Sequence, residues 1–377
     1  MLAVREQRQG IVGIRDFIEG DFLRQQITEI VESLYDIGTV TAVYEIYGGY
    51  TNRSFSIDVL KKGSAQAYFM RQYKPGVAAG DIRFEHGLIR HAIQKGFTMA
   101  ADIVPSARGE TFVRPVNSGS MFAIFEYLNG EDKYTWDDPD LSAAEFQSAG
   151  RVLAAFHNAA HDFNPGGLQR MEPPILALWP QLAAKLAGLG RQKQTGKLQA
   201  YYAAHLPSLL DMVAHNRFDP AEADGLPVIP IHCDYHPGNL KWKEEQVVGI
   251  FDFGWSKMDL RLFDVALAII YFCSRWDQDN DGALRGDKCK LFMDAYQQHL
   301  QGSDGLEALT VAEHKLLPKM LAIANIYLIH WELSHYLETA DADDYEYLAF
   351  LKHNIRLMRW LETHRDTVVK TLAGAFP

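Results

Sequence analysis

The spacing of apolar positions changes several times along the chain. Between residues 16 and 35, apolar side chains recur at roughly helical spacing, which predicts a first helix. From Thr41 onwards, β-branched and aromatic residues form short runs separated by polar or glycine-rich segments. These runs predict three antiparallel strands joined by turns, at residues 43–47, 54–60 and 67–73.

A helix and two more strands follow before the pattern becomes mainly helical. Asp81 is placed to cap a helix that runs to Lys95, and Gly96 is placed to end it. We predict the two strands at residues 111–116 and 121–127. Beyond residues 128–130 we predict a short β-containing segment at 227–252, and helices at 141–161, 176–189, 197–218, 262–276, 288–300, 311–337 and 345–368.

This order of elements predicts an α+β fold with two lobes. The smaller N-lobe, residues 1–128, combines the first helix, a five-stranded antiparallel sheet and one further helix. The larger C-lobe, residues 129–377, is mostly helical. The change of pattern at residues 128–131 predicts a hinge.

Composition narrows the range of functions. The 377 residues carry a formal net charge of -11 without a broad basic stripe, so we expect no nucleic-acid partner. Three cysteines without paired spacing fit a reducing compartment, and the charged N-terminus does not resemble a secretory signal, so we expect a cytoplasmic protein. The apolar stretches 262–273 and 320–331 are too short for a bilayer, so we expect no membrane partner. Oligomeric state stays open.

The strongest chemical motif lies in the predicted β-containing segment. His232, Asp234 and Asn239 form the pattern H-x-D-x-x-x-x-N, and Asp252 follows Asn239 by thirteen positions in Asp-Phe-Gly. Phosphoryl transfer needs a group that accepts the proton of the attacking hydroxyl, together with oxygen ligands that hold Mg²⁺ on the phosphates. Alone, the first pattern also fits a turn capped by Asp and Asn. Asp252-Phe253-Gly254 behind an apolar strand argues against that alternative.

These motifs resemble the aminoglycoside phosphotransferase and choline kinase superfamily, which has a protein-kinase-like fold and includes kinase-fold homoserine kinases. The resemblance covers residues 40–275 and implies a kinase that uses ATP and Mg²⁺. It implies that Asp234 is the catalytic base, and that Asn239 and Asp252 bind the metal. Cys233 stands where many members carry glycine.

Two more residues are expected to support the catalytic loop, and a further histidine is expected to be structural. The resemblance implies that His232 holds the loop by hydrogen bonding. Asp264 lies at the start of an apolar helix, where a carboxylate must be satisfied, and we expect it to bind the backbone of the loop. His157 is expected to be a packed structural histidine.

The nucleotide side is predicted in the N-lobe. By resemblance, Gly48, Gly49, Asn52 and Ser54 belong to a loop that covers the phosphates, although a plain hairpin turn also explains the glycine pair. The resemblance also implies that the backbone from Glu126 to Leu128 binds the adenine edge.

The resemblance implies a cation on the third strand that binds the α- and β-phosphates, and Arg71 is the candidate, with Lys74 as its competitor. Glu85 on the following helix is its expected partner. The alternatives are a solvated edge charge for Arg71 and a weak surface ion pair for Glu85.

The acceptor site is less defined. Tyr327, Trp331 and His335 fall near one face of a predicted helix with Glu332 beside them, so they are candidates to hold an ammonium group. A core helix with a polar outer side is the alternative. We therefore expect a small-molecule hydroxyl substrate, either an amino alcohol or a hydroxy amino acid, of homoserine-like or choline-like type.

Other functions remain to be weighed against this one. An aminoglycoside acceptor would need several acidic residues, and Asp341, Asp343 and Asp344 look more like a loop between helices. A protein Ser/Thr kinase would need a peptide platform, and residues 253–261 are short for one. A non-catalytic nucleotide-binding relative would not need Asp234. Whether GTP replaces ATP stays open.

Overall fold

A computed structural model describes residues 14–46, 52–116, 118–135, 137, 140–168, 170–191, 196–277, 279–302, 305–339 and 342–373. The chain divides into two compact units. The first comprises Met1–His86 and Ala101–Tyr127, and the second comprises Gly87–Ala100 and Leu128–Pro377. The division after Tyr127 lies next to the predicted lobe boundary, but the segment Gly87–Ala100 belongs with the second unit.

The first unit contains the predicted five-stranded antiparallel sheet. Its strands run in the order β1-β2-β3-β5-β4. Its elements along the chain are α1 (Ile14–Leu34), β1 (Thr39–Ile46), β2 (Arg53–Lys61), β3 (Ser64–Gln72), the start of α2 (Ala79–Gln94), β4 (Ile103–Val104) and β5 (Phe122–Glu126).

Alternation along β2 builds the core of this unit. Phe55, Ile57 and Val59 lie two positions apart and are all buried, because successive strand residues point to opposite faces of the sheet. Ile27 and Val31 from α1 pack into the same apolar cluster. Strand β5 continues this core and ends at Glu126.

One strand prediction is wrong. Residues 111–116 do not form a strand, since Val113 makes only an isolated bridge to Phe122. Pro115 lacks the N–H group that would extend the ladder, and Val116 is 91% exposed. The fifth strand of the sheet is instead β4, a two-residue strand that pairs with β5.

The second unit is mainly helical, as expected. Two of its helices begin with a capping box, Ser142 with Glu145 in α3 and Thr310 with Glu313 in α8. The predicted last helix is two helices that meet at His364. The helices are α3 (Ala143–Ala160), α4 (Ile175–Gly190), α5 (Lys197–His215), α6 (Arg261–Cys273), α7 (Gly286–Leu300), α8 (Val311–Glu338), α9 (Asp344–Thr363) and α10 (Arg365–Ala373).

Two small antiparallel ribbons position the catalytic motifs. The strands are β6 (Val228–Ile231), β7 (Leu240–Lys243), β8 (Gln246–Ile250) and β9 (Lys257–Leu260), of which β6 pairs with β9 and β7 with β8. The sequence pattern missed β9. Because the H-x-D motif follows β6 and the Asp-Phe-Gly motif follows β8, both motifs lie in short connections anchored by strands.

None of the helices in the described part of the chain combines the length and apolar character needed to cross a bilayer.

Candidate active site

Asp264 anchors the loop that carries the H-x-D motif. It is fully buried in the first turn of α6 and accepts hydrogen bonds from the backbone N–H groups of His232, at 2.9 Å, and Cys233, at 2.7 Å. His157 reaches the same carboxylate through Nε2 at 2.9 Å. Burial alone would raise the pKa of Asp264, but the hydrogen bond and charge of His157 lower it. The backbone contacts are those expected for Asp264.

The loop is sharply bent at Cys233. This residue has φ 66°, in the left-handed region that non-glycine residues seldom adopt. The bend points two consecutive N–H groups at one carboxylate and turns the chain before Asp234. Cys233 therefore takes the backbone shape that glycine would adopt with less strain.

His232 ties the two motif loops together. Its Nδ1 accepts a hydrogen bond from the Asp234 N–H at 3.3 Å, so the ring proton lies on Nε2 and is donated to the carbonyl of Phe251 at 3.0 Å. Burial lowers the pKa of His232, which keeps this neutral form. The ring thus links the residue before Asp252 to the backbone of Asp234.

Asp234 is held on both carboxylate oxygens. Asn239 donates to Oδ2 from Nδ2 at 3.0 Å, and the hydroxyl of Tyr271 donates to Oδ1 at 3.3 Å. His236 lies near, with Nε2 3.8 Å from Oδ2. Burial, followed by the negative charge of Asp252, raises the pKa of Asp234 to about 7. A carboxylate with a raised pKa is a better proton acceptor than an ordinary surface aspartate.

Asn239 and Asp252 fit the requirements of a Mg²⁺ site. Asn239 uses Nδ2 toward Asp234, which leaves Oδ1 for a metal, and its carbonyl accepts the N–H of Phe251 at 3.1 Å. Asp252 has the left-handed φ of 62°. The described residues contain no cluster of three or more His, Cys, Asp or Glu that would form an all-protein site. Two protein oxygens are what Mg²⁺ uses when nucleotide phosphates supply further ligands.

Sequence reasoning missed two neighbours of the catalytic carboxylate. Tyr271 lies seven positions after Asp264, two turns along α6, and therefore on the same helix face. His236 follows Asp234 by two positions, and its Nδ1 accepts from the Gly238 N–H at 3.1 Å. Burial lowers the pKa of His236 to about 3. The helical spacing was a signal for Tyr271, whereas nothing in the sequence pointed to His236.

Arg71 and Glu85 form the predicted pair in the first unit. Their side chains lie 2.8 Å apart and are only 6% and 3% exposed. The hydroxyl of Tyr73 donates to the second oxygen of Glu85 at 3.1 Å. Lys74, the competing cation, is exposed. The solvated-charge and surface-pair alternatives are therefore wrong for Arg71 and Glu85.

The structure describes only two of the four residues predicted to belong to the phosphate-covering loop. Gly48 and Gly49 lie outside the described residues. Asn52 accepts the backbone N–H of Lys74 through Oδ1 at 3.1 Å, and Ser54 pairs with Arg71 in the sheet register.

One backbone group of the predicted adenine-binding segment is already used in a hydrogen bond within the first unit. Glu126 is exposed at the end of β5, and its backbone N–H donates to the carbonyl of Asp102 at 2.9 Å. This N–H is thus not the donor for adenine. Leu128 is half-buried and begins the second unit's later segment.

The aromatic acceptor candidates on α8 are packed against protein groups. Tyr327 is buried and donates its hydroxyl to Glu172 at 3.0 Å, with Cys233 Sγ 3.8 Å away. Trp331 is half-buried and stacks on His335, with ring centroids 5.0 Å apart. The contacts of Tyr327 favour support of the catalytic loop over contact with substrate.

The other acceptor candidates, His335 and the acidic residues, also contact protein groups. His335 Nδ1 lies 2.6 Å from the hydroxyl of Tyr347. Asp343 caps α9, and Asp344 accepts the Tyr336 hydroxyl at 3.0 Å. Asp341 lies outside the described residues.

Glu332 is buried, and it accepts a hydrogen bond from Asn354 at 2.7 Å.

Comparison with known protein families shows which family the chain belongs to. The family model described as "Phosphotransferase enzyme family" matches residues 43–305, which is more than half of the sequence and includes both catalytic motifs. The chain belongs to this phosphotransferase family. The match begins in β1 and ends after α7, so it spans the Arg71–Glu85 pair as well as the loop held by Asp264.

Curated relatives of this phosphotransferase are named homoserine kinases. That of Bradyrhizobium sp. strain BTAi1 is 28% identical over 263 residues, covering 70% of this chain and 72% of the relative. That of Azorhizobium caulinodans is 25% identical over 338 residues, covering 88% and 93%. The similarity therefore extends beyond the motifs into most of both chains.

Solved structures show the same kinase fold. A microcompartment-associated aminopropanol kinase matches 92% of this phosphotransferase and 99% of its own chain, with a TM-score of 0.64 and 16% identity. A spectinomycin phosphotransferase solved with ADP and its antibiotic matches 93% and 98%, with a TM-score of 0.58 and 13% identity. The expected α+β kinase-like fold is confirmed.

Proposed function

We propose that this phosphotransferase is an ATP-dependent kinase whose acceptor is a hydroxyl group of a small amino alcohol or hydroxy amino acid. The observation that carries the proposal is the geometry around Asp234. Its carboxylate is fixed by Asn239 and Tyr271, its pKa is raised to about 7, and its loop is held by Asp264. This arrangement suits a group that orients a hydroxyl and accepts its proton.

The proposed reaction follows from these contacts. The acceptor hydroxyl donates a hydrogen bond to Asp234, and its oxygen forms a bond to the γ-phosphorus of ATP while the bond to the ADP oxygen breaks. Asp234 receives the proton of the hydroxyl. Asn239 and Asp252 would hold Mg²⁺, which supplies positive charge to the nucleotide phosphates. Arg71, oriented by Glu85, is proposed to bind the α- and β-phosphates.

The acceptor class is supported by relatives and by the site. The similar curated proteins are homoserine kinases, and similar structures include an aminopropanol kinase and an ethanolamine kinase. The segment after Asp252 contains only a short 3₁₀ turn, Phe253–Trp255, and β9 before α6 begins at Arg261. This leaves little chain for a peptide platform, which favours a small acceptor over a protein substrate.

The direct test is ADP release from Mg²⁺-ATP with separate acceptors: L-homoserine, 1-amino-2-propanol, ethanolamine, choline, an aminoglycoside and a generic protein. We expect one of the first three to stimulate release and to become phosphorylated. Stimulation by the protein alone, or by the aminoglycoside alone, would contradict the proposed acceptor class.

Asp252→Asn is expected to weaken the use of metal. The variant keeps one oxygen but loses the negative charge, so the Mg²⁺ concentration that gives half-maximal activity should rise by about tenfold or more. A Mg²⁺ titration of kcat measures this change. Asp287→Asn, at an exposed position on α7, is the control and should behave as wild type. An unchanged Mg²⁺ titration of Asp252→Asn would remove Asp252 from the metal site.

Arg71→Lys is expected to raise KM for ATP. Lysine keeps the positive charge but loses the planar fork that binds phosphate and Glu85 together. A lost charged hydrogen bond is worth about 1.5–3 kcal/mol, so KM should increase roughly 10- to 100-fold. Arg83→Lys, at an exposed position on α2, is the matched control. Equal KM values in the two variants would contradict phosphate binding by Arg71.

A further inference from the structure

Glu332 on α8 is a buried carboxylate with one oxygen left unused. The residue is 9% exposed, and its Oε1 accepts a hydrogen bond from Asn354 Nδ2 at 2.7 Å. Its Oε2 is buried and has no hydrogen-bond partner among the described residues. Burial raises the pKa of Glu332 well above its usual value. A half-satisfied buried carboxylate is costly, and such groups call for an explanation.

The orientation of this carboxylate is fixed by a polar network between two helices. Asn354 on α9 donates to Glu332 and also accepts, through its backbone carbonyl, the Nδ2 of Asn325 at 2.8 Å. All three residues are at least nine-tenths buried. Because Asn354 fixes Oε1, the free Oε2 of Glu332 has a defined direction, as a binding group requires.

Glu332 also lies within electrostatic reach of Tyr271, a neighbour of the catalytic carboxylate. Helix α8 packs against α6, which carries Tyr271. The hydroxyl of Tyr271 donates to Asp234, and after burial the negative charges of Asp234 and Glu332 both raise the pKa of Tyr271. Tyr271 therefore contacts the catalytic carboxylate and also responds to the charge of Glu332.

Two tryptophan rings pack together, and one of them belongs to the residue that precedes Glu332. Trp331 precedes Glu332 on α8, and the ring of Trp255 packs edge-on against Trp331 with centroids 5.5 Å apart. Trp255 follows the Asp-Phe-Gly motif directly. Both tryptophans are half-buried. Aromatic faces attract organic cations, so these partly exposed rings suit a cationic acceptor.

We propose that Oε2 of Glu332 binds the primary ammonium group of the acceptor while Asp234 receives its hydroxyl. This inference rests on the proposed function and narrows it. Oε2 needs a hydrogen-bond donor, which a primary ammonium group supplies and a quaternary ammonium group does not. The preferred acceptors are therefore primary amino alcohols and amino acids with a side-chain hydroxyl, and choline is excluded.

The test compares wild type, Glu332→Gln and Glu338→Gln with four acceptors: L-homoserine, 1-amino-2-propanol, choline and the neutral 1,2-propanediol. Glu338 lies on the same helix and is exposed, so its variant should match wild type. Glu332→Gln should lower kcat/KM for the primary-amine acceptor by about 10- to 100-fold, the usual size for a lost charged hydrogen bond. The kcat/KM for the diol should change much less, so the ratio of kcat/KM for the amine to that for the diol should fall.

Stability separates this role from a structural one. Glutamine has the shape of glutamate and carries no charge, like the neutral carboxyl that burial favours at this position, so the variant should unfold at the same temperature or higher. Glu332→Asp is the second variant if Glu332→Gln does not fold, and it should keep the amine preference with a raised KM. Unchanged kcat/KM for the amine in Glu332→Gln would overturn the inference and leave the kinase reaction standing.

Direct binding distinguishes the two levels of the proposal. Calorimetry with ADP-saturated protein should show that wild type binds the primary-amine acceptor and that Glu332→Gln binds it at least about tenfold more weakly. If this difference is present but wild type transfers no phosphate, the ammonium site stands and the proposed reaction is wrong. If wild type binds or phosphorylates the diol or choline with the same efficiency as the primary amines, the assignment of the ammonium site is wrong.

Discussion

Asp234→Asn is expected to lower kcat by about 10²- to 10⁴-fold, the usual contribution of a positioned general base. Asparagine keeps the size of the side chain and still reaches Asn239 and Tyr271, but it cannot take the proton of the acceptor hydroxyl. The affinity for Mg²⁺-ATP should change little, because Asp234 is assigned to the acceptor. Initial rates of ADP release and calorimetric titration with a non-hydrolysable ATP analogue measure the two quantities.

The control for this prediction is Asp211→Asn, at an exposed position on α5. It changes charge in the same way without touching the catalytic loop, and it should retain wild-type kcat. A kcat for Asp234→Asn within a few-fold of the control would contradict the assignment of the base. A large loss of nucleotide affinity in Asp234→Asn would instead place this residue in the metal or nucleotide site.

Asp264→Ala is expected to destabilise the second unit by about 3–5 kcal/mol, the cost of breaking a buried pair. Alanine leaves the N–H groups of His232 and Cys233 without their acceptor, and it removes the partner of His157. Urea unfolding followed by tryptophan fluorescence measures the change in free energy. Activity should fall as well, because the loop that carries Asp234 loses its anchor.

Asp264→Asn tests how much of the lost stability comes from the hydrogen bonds to the loop and how much from the negative charge. Asparagine retains one oxygen acceptor, so it should satisfy one of the two loop N–H groups and cost less than alanine. An alanine variant as stable as wild type would show that the left-handed bend at Cys233 holds without the carboxylate. An alanine variant that unfolds easily but keeps its kcat at low temperature would limit Asp264 to a role in stability.

Several contacts were predictable because they follow local rules. The spacing of the H-x-D and Asp-Phe-Gly motifs located Asp234 and Asp252, and a carboxylate in the apolar start of α6 had to find donors, which are the N–H groups of the loop. Arg71 and Glu85 were predicted as partners from the resemblance to kinases, which places them on the third strand and the following helix, and they are joined in the structure. In each case the sequence distance or the element type limited the possible partners.

Other features depend on contacts that sequence spacing does not define. Asn354 meets Glu332 only because α9 packs against α8, and Tyr327 meets Glu172 from 155 positions away. The strand predicted at 111–116 has suitable side chains, but Pro115 prevents a continuous ladder and the short β4 pairs with β5 instead. Hydrogen-bond partners supplied by distant segments decided these cases, not side-chain propensity.

The left-handed bend at Cys233 has a consequence for turnover. Its backbone is held by Asp264, a residue thirty-one positions further along the chain. The loop therefore takes its working shape during folding, and an arriving acceptor does not have to order it. Binding energy from the acceptor remains available to align its hydroxyl with the transferred phosphate. A backbone conformation that is unfavourable for cysteine thus lowers the entropy that is lost in each catalytic cycle.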